Sequence, residues 1–302
     1  DALTTNGNYN VVIGEETGTA LTTGVNNVAV GYNALLAGTT ETDDNVAIGY
    51  NAMGGAIGTE QVNDCVAIGS GALSGALDST DGADEASGTV AVGMNALNAL
   101  TTGNANVAIG WHALKLQTTG ANNTAIGYGA LDAADAGESH NIAIGVHTMG
   151  SLNHADGDKN IAIGVGAMEN PGALGHVSNI ALGYECMGGN MTTSVLNSGN
   201  IAMGTGNMKG TMTGCDNNIA IGTGALTGLT GADNNTIVGA GTATNLTTGG
   251  NNTYIGKSCD ASASDVTNET AVGYGITPPA GGNSVTLGNA SVTEVYCSSD
   301  KG

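Results

Sequence analysis

The stretch Asn26–Met53 reads NNVAVGYNALLAGTTETDDNVAIGYNAM, a nine-residue phrase written twice around a variable spacer. The glycine that closes its aliphatic triplet recurs sixteen times, from Gly14 to Gly288. Six of the fifteen intervals are 17 residues, and the extremes are 15 and 24. A unit repeated at this period cannot bury its apolar face alone and must stack on its neighbours. An active site, which needs unlike groups converging once, is a poor match to such a chain.

The columns of the repeat are sharper than its spacing. Three residues before the glycine every copy has Val, Ile or Thr, and one residue before it every copy has Ile, Val, Leu or Met. β-branched residues at alternate positions of a short run predict a strand with one face inward. A helix is excluded by the Gly, Asn and Thr content and by the missing 3.6-residue stripe. The glycine permits a sharp turn, and Leu or Met four residues after it, in eleven consecutive copies from Leu35 to Leu226, returns to the same interior. Each repeat is therefore read as one coil of a parallel β-solenoid. Sixteen coils at roughly 4.8 Å each make a rod of roughly 75 Å.

With Val and Ile assigned to the interior, the residue between them should point outward. It is Ala at Ala29, Ala47, Ala67, Ala91, Ala108, Ala125, Ala143, Ala162, Ala181, Ala202 and Ala220, and this row is the expected chain–chain interface. Four residues before the glycine stands a column of Asn: Asn10, Asn27, Asn45, Asn106, Asn123, Asn141, Asn160, Asn179, Asn200, Asn218, Asn235 and Asn252. A fixed register predicts an amide ladder, each side chain bonding the one above and below. The ladder breaks at Cys65, Thr89, Glu269 and Ser284. Residues 1–282 are read as the repeat array and 283–302 as a transition or cap.

The chain has 52 glycines and no phenylalanine, which fits a thin interior. So little core makes a lone rod marginal, and association is expected to supply the rest. The formal charge is −21, with five lysines and no arginine. Such a surface repels nucleic acid and anionic membranes. No apolar run reaches the 18 residues expected of a membrane span. The chain opens in mid-repeat without a signal peptide, as a processed or excised segment would.

The phrases NVAVGYNAL (Asn27–Leu35) and NVAIGYNAM (Asn45–Met53) resemble the Ser-Val-Ala-Ile-Gly repeats of trimeric autotransporter adhesin heads. TTGANNTAIGYGAL (Thr118–Leu131) resembles the Asn-Thr-Ala-Ile-Gly-Tyr arrays of phage tail fibres. The resemblance covers Asn10 to about Val292. It implies a left-handed parallel β-roll, three chains side by side, and the Ala row near the threefold axis. NSVTLGNASVTEVY (Asn283–Tyr296) is similar to the segment that ends such arrays, often before a C-terminal chaperone.

Motifs that carry chemistry are sparse. His112, His140, His147, His154 and His176 form neither His-x-His nor a zinc spacing and read as loop or surface residues. Cys186 and Cys259 fall in a column that is usually Ala and read as small packed residues, whereas Cys215 or Cys297 is left open to partners. The glycine phrases lack the Lys-Ser/Thr of a phosphate loop, and no nucleophile–base pair stands at a plausible spacing. The long spacer Ser70–Gly88 carries Asp78, Asp81, Asp84 and Glu85, a candidate calcium site without the pattern of any known calcium loop. A solvated acidic loop is the competing reading. Tyr32, Tyr50, Trp111, Tyr128, Tyr184 and Tyr274 follow the glycine and form either a packing ladder or a sugar-stacking row.

These features predict a structural and adhesive rod, extracellular or on a virion surface, not an enzyme and without a cofactor unless calcium binds. Its expected partners are copies of itself in a homotrimer and a cell-surface glycan or protein receptor. The alternatives are a self-polymerising extracellular filament and, third, an ice-binding solenoid. The last needs a flat Thr-x-Thr face, which spacer threonines at drifting positions do not supply.

Overall fold

The computed structural model describes residues 9–37, 42–55, 57, 62–77, 86–135, 137–154, 156–170, 176–189 and 196–295. It is an all-β chain of sixteen parallel strands coiled as a solenoid, with no helix among the described residues. It divides into two compact units, Asp1–Ser178 and Asn179–Gly302. The first contains β1 (Val11–Ile13), β2 (Val28–Val30), β3 (Val46–Ile48), β4 (Val66–Ile68), β5 (Val90–Val92), β6 (Val107–Ile109), β7 (Thr124–Ile126), β8 (Ile142–Ile144) and β9 (Ile161–Ile163). The second contains β10 (Ile180–Leu182), β11 (Ile201–Met203), β12 (Ile219–Ile221), β13 (Thr236–Val238), β14 (Thr253–Ile255), β15 (Glu269–Val272) and β16 (Ser284–Leu287).

Within each unit every strand pairs with the next in the register the repeat dictates. Val46, Ala47 and Ile48 stand beside Val66, Ala67 and Ile68. Ile201, Ala202 and Met203 stand beside Ile219, Ala220 and Ile221. The pairing runs on into the segment assigned to the C-terminal transition, where β16 lies beside β15.

The face of the strand is the reverse of the expectation. Ala29, Ala47, Ala67, Ala91, Ala108, Ala125, Ala143, Ala162, Ala181, Ala202 and Ala220 are all 0% exposed within the single chain, so they form its own interior and no interface. The flanking Val and Ile residues are the half-exposed ones. The reason is the period-2 alternation of a strand. Asn, Ala and the marker glycine share one parity, and Val, Ile and the aromatic share the other. The inner parity must be the small one because the coils leave no room. A Cβ at Gly110 would lie 2.4 Å from the Gly127 carbonyl oxygen.

The large apolar side chains of the core come from the turn. Ala34 with Leu35, Ala52 with Met53 and Ala113 with Leu114 are buried pairs opposite the strand, and Leu100, Leu152, Leu229 and Leu246 close the interior. The volumes are complementary. Where the strand alanine becomes Ile237, the Leu/Met position becomes Ala243, and both stay buried. Where it becomes Tyr254, that position is Asp260 and the tyrosine fills the space.

The Leu/Met column has a backbone cause. Leu35, Met53, Leu97, Leu114 and Leu131 have φ between 49° and 52° apart from Met53 at 48°, which is the left-handed region. An L-residue pays on the order of 1–2 kcal/mol there, and a β-branched one pays more. Each such residue donates its N–H to the neighbouring coil, as Met53 does to the Ala72 carbonyl and Leu73 to that of Ala96, both at 2.9 Å. Coil-to-coil bonding and side-chain burial together offset the strain. This predicts an asymmetry between apolar substitutions. Leu114→Met should cost less than about 1.5 kcal/mol, whereas Leu114→Ile should cost clearly more because its branch meets a left-handed φ. Urea unfolding of the two variants checks it; equal losses would show that the backbone conformation does not select the side chain.

Candidate functional site

Two features of the coil repeat often enough to govern what the molecule can do: an amide ladder inside and an aliphatic face outside. In the ladder the Oδ1 atom of each Asn accepts two bonds from the next Asn. Asn141 donates its N–H to Asn123 at 3.0 Å and its Nδ2 at 3.3 Å. The Nδ2 group also donates across the coil, from Asn141 to the Gly157 carbonyl at 2.7 Å. The same pattern holds in the second unit through Asn200, Asn218, Asn235 and Asn252. All of these amides are buried, and the arrangement leaves none of their polar atoms orphaned.

The breaks are partial substitutes. Cys65 donates its N–H to Asn45 at 2.9 Å and its thiol to the Ala86 carbonyl at 3.0 Å, taking the place of the amide. Thr89 accepts the Asn106 N–H through its hydroxyl, at 3.4 Å. Glu269 accepts the ladder geometry through its backbone N–H, 2.8 Å from Asn252 Oδ1, but brings a carboxylate into the interior.

A second ladder lies two residues before the first, and its signal in the sequence is a looser column of Asp, Asn and Ser. Val25 N–H donates to Asp43, Asp43 N–H to Asn63, and Asn63 N–H to Ser87. In the second unit Ser198 N–H donates to Asp216 and Asp216 N–H to Asp233, each at 2.8 Å. Here the side chain of the later coil receives the N–H of the earlier one, the opposite sense to the asparagine ladder.

The outward parity presents two aliphatic columns and part of a third, aromatic one. Ile48 and Ile68 are 37% exposed, Ile109 is 39% and Ile163 is 40%; in the second unit Ile221 is 37% and Ile255 is 42%. Tyr32 stacks on Tyr50 with centroids 5.6 Å apart and planes 15° apart. Trp111 and Tyr128 lie 5.2 Å apart, and His147 meets Tyr128 edge-on at 4.8 Å. The row thus packs along the coils while keeping its outer surface exposed.

The remaining candidates do not converge. His112, His140 and His147 occupy turn positions at φ 51–61°, and His154 places its N–H 2.5 Å from Glu138 Oε1. His176 departs from the expected surface position: it is wholly buried, as is Glu138. Both stand three residues before a ladder Asn, in a column whose composition is too mixed to reveal its inward direction. Cys186 and Cys259 are buried in the small-residue column as expected, but Cys215 is buried too and not open to partners. Burial pushes the Cys65 thiol up to about 11 and the Cys186 thiol to about 12. Asp78, Asp81, Asp84, Glu85 and Cys297 lie outside the described residues. Among the described residues no three His, Cys, Asp or Glu side chains group as a metal site, and no helix is long and apolar enough to cross a membrane.

No family model, no curated protein and no solved structure matches the chain.

If the amide ladder holds the coils together, its deletion should be felt more than an ordinary polar substitution. Asn141→Ala removes the acceptor of Asn160 N–H and Nδ2 and the donor to Gly157. Buried groups left unpaired cost roughly 1–3 kcal/mol each, so a loss of about 3 kcal/mol is expected in urea unfolding. A loss under about 0.5 kcal/mol, the level of a surface substitution, would remove the ladder from the account.

Proposed function

We propose that this chain is a non-enzymatic structural rod that works as a homotrimer, in an extracellular fibre or adhesin, with its copies packed through the outward aliphatic face. The observation that carries the reading is the outward parity of the strands, Val or Ile at two positions in coil after coil and half exposed in both units. Parallel sheets are normally covered on both faces. One face here is covered by the chain's own turns, and the other has no cover among the described residues. A repeated column of half-exposed β-branched residues is the kind of apolar surface that suits a protein contact. It fits a second copy of itself, since identical coils present identical spacings.

The number three comes from the resemblance of the repeat phrase to adhesin heads and tail fibres. Association must work against the −21 charge of each chain. Repulsion between exposed charges is screened beyond roughly 8 Å at physiological salt, so assembly should tighten as salt rises. A self-polymerising filament is the second reading, in which coils stack end to end. The ice-binding reading loses ground because the outward columns are chiefly Val and Ile, with threonine at Thr124, Thr236, Thr253 and Thr270.

Sedimentation equilibrium at micromolar concentration tests the reading. The expected mass is three times the 29.3 kDa of the chain. The pair Ile109→Lys and Ile163→Lys, at outward positions, should yield a folded monomer or a chain that fails to accumulate. A parent protein that sediments as a monomer, or a double variant that remains a trimer of unchanged Tm, would refute the proposed interface.

A further inference from the structure

The asparagine ladder of the second unit ends on the wrong chemistry. Asn218, Asn235 and Asn252 each donate Nδ2 to the carbonyl that stands three residues before the next ladder position: those of Ala232, Gly249 and Val266, at 2.7, 3.0 and 2.8 Å. The next ladder residue is Glu269, whose side chain has no N–H to give. The carbonyl at the corresponding place in the following coil belongs to Gly281. An acceptor therefore replaces a donor at a point where the fold requires one.

Glu269 is wholly buried. Its Oε2 atom is satisfied twice, by the Tyr254 hydroxyl at 2.6 Å and the Ser262 N–H at 3.0 Å. Burial, reinforced by Glu269, raises the pKa of the Tyr254 phenol, so the phenol stays protonated and acts as the donor. Its Oε1 atom has no partner among the described residues. The same is true of two nearby buried hydroxyls. Ser284 Oγ belongs to the residue directly beside Glu269 in the β15–β16 register, and Ser262 Oγ to the residue whose N–H holds the other carboxylate oxygen. The ion pairs of the described residues, His154–Asp156 and Lys209–Glu185, lie elsewhere in sequence and leave this carboxylate without a cation. Close to it along the chain a cleft of about 270 Å³ is lined by Ala263, Asp265, Val266, Thr267, Gly281 and Gly282.

We propose that Glu269, with Ser262 and Ser284, holds a hard divalent cation of the calcium class at the end of the ladder. A buried carboxylate oxygen without a partner is costly, and orphaned polar atoms grouped around one carboxylate mark the place of an ion or water. The donors are all oxygen, which suits calcium and not the nitrogen and sulfur preferences of zinc. Asp265, exposed on the wall of the neighbouring cleft, adds negative charge four residues away along the chain. The cation takes the structural part of the missing amide: it joins Glu269 to the coil that follows. This site is separate from the outward face.

The test uses the full chain stripped with EDTA and titrated with calcium chloride. Calorimetry should show a calcium site at one ion per chain that vanishes in Glu269→Gln, and calcium should raise the Tm of the parent by several degrees with no such rise in the variant. Gln returns an amide to the ladder, so the variant in EDTA should melt at or above the parent in EDTA. Should Glu269→Gln prove insoluble, Ser284→Ala keeps the charge and should still weaken calcium binding. Two outcomes overturn the proposal: no calcium-dependent change in the parent, as a water-filled site would give, or a calcium response that survives Glu269→Gln or is unchanged in Ser284→Ala.

Discussion

One side-chain amide per coil sets the terms for everything else in this molecule. A coil of about seventeen residues encloses too little volume to be held by apolar burial alone, and its peptide groups must find partners in the coils above and below. The asparagine at the head of each strand serves three of those needs at once. It accepts the N–H and the amide of its successor and donates to a carbonyl on the opposite wall. Because that side chain must lie inside, the strand's phase is fixed. Ala and Gly follow inward and Val and Ile are turned out.

That phase decides which residues the chain turns inward and which it presents outward. The interior is complete within the chain: small residues on the strand, Leu or Met on the turn, and compensating volumes where one of them changes, as at Ile237 and Ala243. The exterior differs. Its β-branched columns have strand-forming value within the sheet and stay half exposed, with Ile109 at 39% and Ile221 at 37%. The aromatic row beside them, stacked at Tyr32–Tyr50 and tilted at Trp111–Tyr128, continues the same face.

Much of this was legible in the sequence. The marker glycine, the strand, the parallel register and the asparagine ladder all follow from columns that hold over most copies. The phase was not, because two physical rules pointed opposite ways. Large aliphatic residues usually seek the core, yet Asn and Ala share a parity, and a ladder of amides is only worth forming away from water. Weighing Asn141 with Ala143 and Gly145 as one face would have inverted the reading. The Leu/Met column carried a second unread signal: in the eleven copies from Leu35 to Leu226 a buried position holds neither Val nor Ile, in a chain rich in both, which marks a left-handed φ. Glu138 and His176 were hidden for another reason. Their column is bonded through its backbone carbonyl, so its side chains vary freely and leave no pattern.

The central claim is the orientation of the strand, and a pair of adjacent cysteine substitutions measures it directly. Among the described residues the native thiols Cys65, Cys186, Cys215 and Cys259 are buried, and Cys297, outside them, is replaced by Ser in the parent for this test. In the folded protein Ala108→Cys should stay unmodified by a thiol reagent and form no cross-link. Ile109→Cys should either be modified or form a disulfide with the same position of another copy. A reactive thiol from Ala108→Cys beside an inert, uncross-linked one from Ile109→Cys would contradict the account.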